Sequence, residues 1–150
     1  MIIRLMEKDE QPPWDLLLLA DPSKDMVSGY LSDGITYIAE SQDGISGVIV
    51  LLPKSPVTSE IINLAVKEDS QGKGIGKLLL QHAIDAAKKA GFKRIEIGTG
   101  NSSINQLAMY QKAGFRITGV DKEFFIRNYD KPIFENGIRC RDMIRLSMEI

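Results

Sequence analysis

The stretch Gln71-Gly72-Lys73-Gly74-Ile75-Gly76 most constrains what this chain can become, because a β-branched run, Ile61 to Val66, precedes it and a helical pattern opens inside it. From Gly74 to Ala90 the residues Ile75, Leu78, Leu79, Ala83, Ile84, Ala86 and Ala87 recur on one face, with Lys77, Gln81, Asp85 and Lys88 opposite. The glycines therefore mark a strand-to-helix turn. Backbone N–H groups in the first turn of a helix lack intrahelical partners and carry the positive end of its dipole, so they suit anionic oxygens. Glycine at 72, 74 and 76 lets that backbone approach a pyrophosphate, and Lys73 adds a mobile positive charge.

Two other phosphate loops do not fit. A Walker loop ends in Gly-Lys-Ser/Thr, whereas Leu78 follows Gly76-Lys77 and offers no hydroxyl to Mg²⁺. A dinucleotide fingerprint needs an acidic residue at the end of the second strand, and Glu96 lies inside the strand expected from Arg94 to Gly98.

The 150 residues suit one domain, 1–150, with no linker. A formal net charge of -1 gives no global attraction to nucleic acid or an anionic membrane, so an anion must be held by local structure. Cys140 is the only cysteine and His82 the only histidine, which excludes an internal disulfide and a Cys- or His-based metal cluster. We expect no metal, a buried inert thiol at Cys140 and a surface or boundary position for His82. The N-terminus lacks signal-peptide features and no apolar run could cross a bilayer, so a cytoplasmic protein is expected.

Strands are predicted at Ile2 to Met6, Ile35 to Glu40, Gly47 to Leu52, Glu60 to Val66, Arg94 to Gly98, Phe115 to Phe125 and Arg139 to Met148. Asp43-Gly44 signals a hairpin between the second and third. Helices are predicted at Trp14 to Ala20, from Pro22-Ser23 to about Leu31, Gly74 to Ala90 and Ile104 to Lys112, with Gly91 and Gly114 as stops. Asn128 to Gly137 reads as a turn-rich insertion. The order βααβββαβαββ argues for an α/β fold: a mixed sheet of about seven strands, with about four helices on its two faces.

At this point the chain resembles the GNAT superfamily of N-acetyltransferases, whose signature Gln/Arg-x-x-Gly-x-Gly/Ala is matched by Gln71 to Gly76. A second segment, Leu107-Ala108-Met109-Tyr110-Gln111-Lys112-Ala113-Gly114-Phe115, is similar to that family's Leu-Tyr-x-Lys-x-Gly-Phe element. The resemblance implies the GNAT fold, with a mostly antiparallel sheet, and acetyl-coenzyme A held where the fourth and fifth strands splay apart at a bulge. Mapped onto this sequence, Gln71, Gly72, Lys73, Gly74, Ile75 and Gly76 line the pyrophosphate site, and the strand end Leu64-Ala65-Val66 bonds the pantetheine arm. Tyr110 corresponds to the general acid that protonates the departing thiolate. Glu60 opens a segment similar to the strand that carries the catalytic glutamate of the histone-acetylating members, and is the candidate base; Glu96 is a second. The family's coenzyme-binding asparagine, seven residues before the tyrosine, is Ser103 here, flanked by Asn101 and Asn105, of which Asn105 is chosen. Ser102 or Ser103 is otherwise expected to cap the helix.

The resemblance implies direct transfer of an acetyl group to an amine, on a small molecule or alternatively on a peptide or protein. A non-catalytic module that binds coenzyme A or a partner is the other alternative. Acceptor-side residues would include Trp14, Asp15, Asp25, Tyr30, Tyr37, Phe124, Phe125, Tyr129, Phe134 and Glu135, where aromatics beside carboxylates suit a cationic amine, or else belong to core and interface. The run Phe134 to Asp142 is similar to a subgroup of small bacterial acetyltransferases, and exposed final strands could pair two copies as a homodimer.

Overall fold

Alternation in the two runs joined by Asp43-Gly44 closes as expected. In the computed structural model, which describes residues 1–150, β2 (Ile35–Ser41) and β3 (Gly44–Pro53) form an antiparallel hairpin, with Gly44 in the left-handed region at φ 105°. β1 (Ile2–Leu5) pairs with β2 and β4 (Thr58–Val66) with β3, both antiparallel. Two compact units result, Met1–Lys93 and Arg94–Ile150.

In the first unit the sheet is covered on both sides. Val48, Val50 and Ala65 pack against Leu16 and Leu17 of α1 (Trp14–Ala20) and Val27 of α2 (Lys24–Leu31). Adjacent residues on a strand point to opposite faces, so Gly47 and Ile49 face the other way. There α3 (Ile75–Lys89) comes so close that a Cβ on Gly47 would stand 2.8 Å from Leu79 Cδ1 and 3.2 Å from Ile75 Cγ2. Gly47 thus seats the first turn of α3 directly on β3. α3 buries Ile75, Leu79, Leu80, Ala83, Ile84 and Ala87, whereas Leu78, expected on the apolar face, is half exposed.

β3 and β4 shift register between Val50 and Leu51: Val50 faces Asn63 and Leu51 faces Ile61, which leaves Ile62 as a bulge. The bulge lies in the strand where the family resemblance places one. It turns Asn63 onto the α1–α2 side, opposite Val50.

The second unit holds β5 (Arg94–Gly100), β9 (Met143–Glu149) and β6 (Arg116–Asp121), antiparallel in that order, with α4 (Ile104–Ala113) between β5 and β6 in sequence. With the four of the first unit this brings the long strands to seven. Two expectations need correction. The strand predicted from Phe115 to Phe125 stops at Asp121, and α5 (Phe124–Asn128) follows, because Glu123 turns into the left-handed region (φ 66°) with its N–H bonded to Asp142 Oδ1 at 2.9 Å. The strand predicted from Arg139 to Met148 is two strands. β8 (Ile138–Arg139) pairs with β7 (Phe134–Glu135) across Asn136-Gly137, both at positive φ as a two-residue hairpin turn requires, and β9 begins only at Met143. No helix is long and apolar enough to cross a membrane.

Candidate active site

The glycine loop has the geometry that its sequence suggests. Gly72 and Gly74 sit at φ 78° and 84°, the latter as N-cap of α3, and no atom lies within 4 Å of where a Cβ would stand on either. Gln71 to Gly74 are exposed, so there is room for a phosphate above the loop. Leu78 N–H already donates to Gly74 O at 3.1 Å, whereas the three preceding amides, Ile75, Gly76 and Lys77, have no helical carbonyl to meet. Gln71 does not reach outward here: its Nε2 donates to Val66 O at 3.0 Å and ties the loop to the end of β4. Lys73 is exposed, and Ile75 is buried beneath the turn.

On β4, Leu64 and Val66 are half-buried and pair with Ile49 and Gly47, on the α3 side, while Ala65 turns into the α1–α2 core. Glu60, opposite Leu52, is only 4% exposed, and Lys54 Nζ lies 3.3 Å from its Oε1. Three residues on, Asn63 is also buried. Its Nδ2 donates to Leu17 O at 3.0 Å and to the Tyr30 hydroxyl at 2.9 Å, and that hydroxyl donates to Asp21 Oδ2 at 3.3 Å. Leu17 O can only accept, so the amide orientation is set, and the buried Asn63 Oδ1 meets no donor. Burial pushes the Tyr30 phenol well above its usual range, which keeps that hydroxyl protonated and able to donate to Asp21.

In the second unit Tyr110 is buried on α4, with its ring edge-to-face against Phe115 at 6.2 Å. Burial alone pushes its phenol well above the ordinary range. A phenol so placed stays protonated at neutral pH and can serve as a hydrogen-bond donor or acid. Glu96 is paired instead with Arg145, Oε1 to Nη2 at 3.7 Å.

The loop before α4 departs from expectation. Ser103 holds the N-cap position without capping, because its Oγ donates to Glu135 Oε1 at 2.8 Å. Ser102 O accepts from Asn136 Nδ2 at 2.8 Å. Asn101 Oδ1 accepts from the N–H groups of Arg141 (2.7 Å) and Asp142 (3.0 Å), while its Nδ2 donates to Arg139 O. Asn101 and Ser103 are thus engaged by the β7–β8 hairpin, and Asn105 alone of the polar candidates stands exposed on the first turn of α4. Cys140 is buried against Gly100, and burial pushes its thiol up, as befits an inert side chain.

Of the residues expected to line an acceptor, Trp14 is covered by Lys24, whose Nζ lies 5.0 Å from the ring centroid. Phe125 stacks on Tyr129 and meets Phe124 edge-on, whereas Phe134 is 65% exposed. His82 packs edge-on against Tyr37. No group of three or more His, Cys, Asp or Glu is arranged to hold a metal ion.

Residues 2–115 match the model of the acetyltransferase (GNAT) family. The chain belongs to that family and is an acetyltransferase. It is 57% identical over 148 residues, 99% of this chain and 96% of the relative, to the "Uncharacterized N-acetyltransferase YvbK" of Bacillus subtilis (strain 168). A GNAT family acetyltransferase from Elizabethkingia anophelis, solved with acetyl-CoA bound, superposes with a TM-score of 0.97 at 50% identity, covering 99% of this chain and 97% of the other. A Bacillus subtilis acetyltransferase in complex with CoA gives 0.93 at 57% identity, with the same coverage.

Two features escaped sequence reasoning. Asn63 had one signal, an amide in the middle of an otherwise apolar strand, Ile61-Ile62-Asn63-Leu64. The hairpin had another, Asn136-Gly137, which marks a two-residue turn.

Proposed function

We propose that the whole chain, 1–150, acts as one acetyl-CoA-dependent N-acetyltransferase domain whose acceptor is an amine, on a small molecule. The observation that carries this reading is the exposed glycine loop opening α3, with Gly72 and Gly74 in left-handed backbone and open space above both. Amides of residues 72–76, with Lys73, hold the pyrophosphate; Gln71 braces the loop through Val66 O. Backbone groups of Leu64, Ala65 and Val66 bond the pantetheine arm, and Asn105 contacts the same cosubstrate from the start of α4.

Glu60 accepts a proton from the acceptor, whose amine at neutral pH is mostly ammonium and not nucleophilic. The freed nitrogen attacks the thioester carbonyl, the C–S bond breaks, and Tyr110 donates to the departing sulfur. Its buried, protonated phenol favours that role. Buried oxygen atoms on the α1–α2 side, those of Glu60, Asn63 and Asp21, favour a cationic acceptor. Pairing of two copies along β6, an edge strand with Ile117 and Val120 half exposed, completes the proposal.

Calorimetric titration with acetyl-CoA, followed by thiol release against a panel of primary amines, tests it. Glu60→Gln should slow release most at low pH, where the amine most needs deprotonating; an unaltered pH profile would remove Glu60 as the base. Tight acetyl-CoA binding with no thiol release from any amine or peptide would favour a binding module.

A further inference from the structure

The β3–β4 connection sets a lysine against the proposed base. Lys54 N and Ser55 N both donate to Thr58 O, at 2.9 and 3.2 Å, and Ser55 Oγ accepts from the N–H groups of Val57 and Thr58. The tip is therefore a closed, hydrogen-bonded turn. From it the Lys54 side chain, 47% exposed, reaches back to a carboxylate that is almost wholly buried, with Nζ 3.3 Å from Glu60 Oε1. An acceptor nitrogen must stand within hydrogen-bond reach of the base that deprotonates it, and Lys54 Nζ stands at the edge of that reach on a preorganised stem. The glycine loop follows Val66, so a cosubstrate anchored there and bonded along Leu64 to Val66 points its acyl end back along β4 toward Glu60.

We propose that Lys54 is a site of self-acetylation: in the absence of an external amine, the chain transfers an acetyl group from acetyl-CoA to its own Lys54 Nζ. The inference rests on the acetyl-CoA reading above. The Lys54 ammonium gives one proton to Glu60, and the nitrogen lone pair attacks the thioester carbonyl carbon. A C–N bond forms, the C–S bond breaks, and coenzyme A leaves with the bonding pair and takes up a proton as the free thiol. The product amide is neutral, so the Lys54–Glu60 ion pair ends and the external amine no longer competes with a resident cation at that carboxylate.

Peptide mass spectrometry of the full chain incubated with acetyl-CoA alone tests this, with calorimetric binding measured on the same preparation. Lys54 should be acetylated about tenfold or more faster than the other lysines. The rate per molecule should not depend on protein concentration, and Glu60→Gln should slow it about tenfold or more. Lys54→Arg should keep acetyl-CoA binding and lose the modification. Gly74→Asp should lose both. Acetyl-CoA binding with Lys54 unmodified would overturn the inference and leave the donor site standing; no binding would overturn both. Equal acetylation of all exposed lysines, unchanged in Gly74→Asp, would make the reaction spontaneous acylation and reject Lys54 as a built site. A rate that rises with protein concentration would reject transfer within one chain.

Discussion

The loops that open α3 and α4 are the two where the family resemblance leads us to expect cosubstrate contacts, yet they are held in opposite ways. The loop before α3 is exposed, and its shape comes from its own residues: positive φ at Gly72 and Gly74, and one return bond from Gln71 to Val66 O five residues away. In the loop before α4, Ser102 and Ser103 are buried, and its partners come from Ile138–Arg139 and the residues around it, 32 to 41 positions further along the chain. The first is local and ready to meet a ligand. The second is strapped, with Asn101 and Ser103 bonded to the strap and Asn105 left exposed on the first turn of α4.

Gly74→Asp should have the largest effect. It places a side chain in left-handed backbone and a carboxylate against the pyrophosphate, and acetyl-CoA affinity should fall at least about 100-fold, about 2.7 kcal/mol. Unchanged affinity by calorimetry would mean the exposed loop is not the donor site. Tyr110→Phe should lower kcat about 10- to 100-fold while leaving the acetyl-CoA Kd within about twofold. A parallel loss of binding would instead make Tyr110 part of the coenzyme's seat.

The strap is tested through stability. Asn101→Ala removes three hydrogen bonds and leaves the N–H groups of Arg141 and Asp142 without their acceptor, so it should destabilise the fold by about 2 kcal/mol in urea titration. Hydrogen exchange should accelerate at 138–142 and 101–104 and remain unchanged in the glycine loop. Equal acceleration in both loops would erase the distinction between them.

The smallest effect concerns the first unit alone. Arg4 donates to both Glu10 and Glu40, and these hydrogen bonds hold Glu10 down at about 2 from an ordinary 4.5 and lower Glu40 as well. A depressed carboxylate stabilises the fold above its unfolded pKa and loses that contribution as pH falls through its folded one. Stability should therefore decline between about pH 4.5 and about pH 2, and Arg4→Met should flatten that slope. An identical slope in the variant would show that the cluster is not what acid titrates.

Most elements were legible because their signals are short-range. Asp43-Gly44 names its hairpin, the repeat from Ile75 to Ala87 names α3, and Gly114, at φ 112°, ends α4 where a glycine stop was read. α5 was not legible. Phe124-Phe125-Ile126 has strand propensity, and it turns helical because Glu123 is held at positive φ by a carboxylate nineteen residues away and Phe125 N donates to Arg141 O. Ser103 likewise looks like a cap until Glu135 is brought to it.

By itself, then, the sequence determined the alternation of strands and helices, the family through two motifs, and a strand-to-helix loop whose backbone only glycine adopts easily. Those are properties of neighbouring residues and of backbone sterics. Tertiary structure alone decided that Asn63 ties β4 to α1 and Tyr30, and that a hairpin locks the start of α4. Each is a bond between side chains or backbone groups distant in sequence, and a residue's capacity to donate or accept does not name its partner until packing places one within reach.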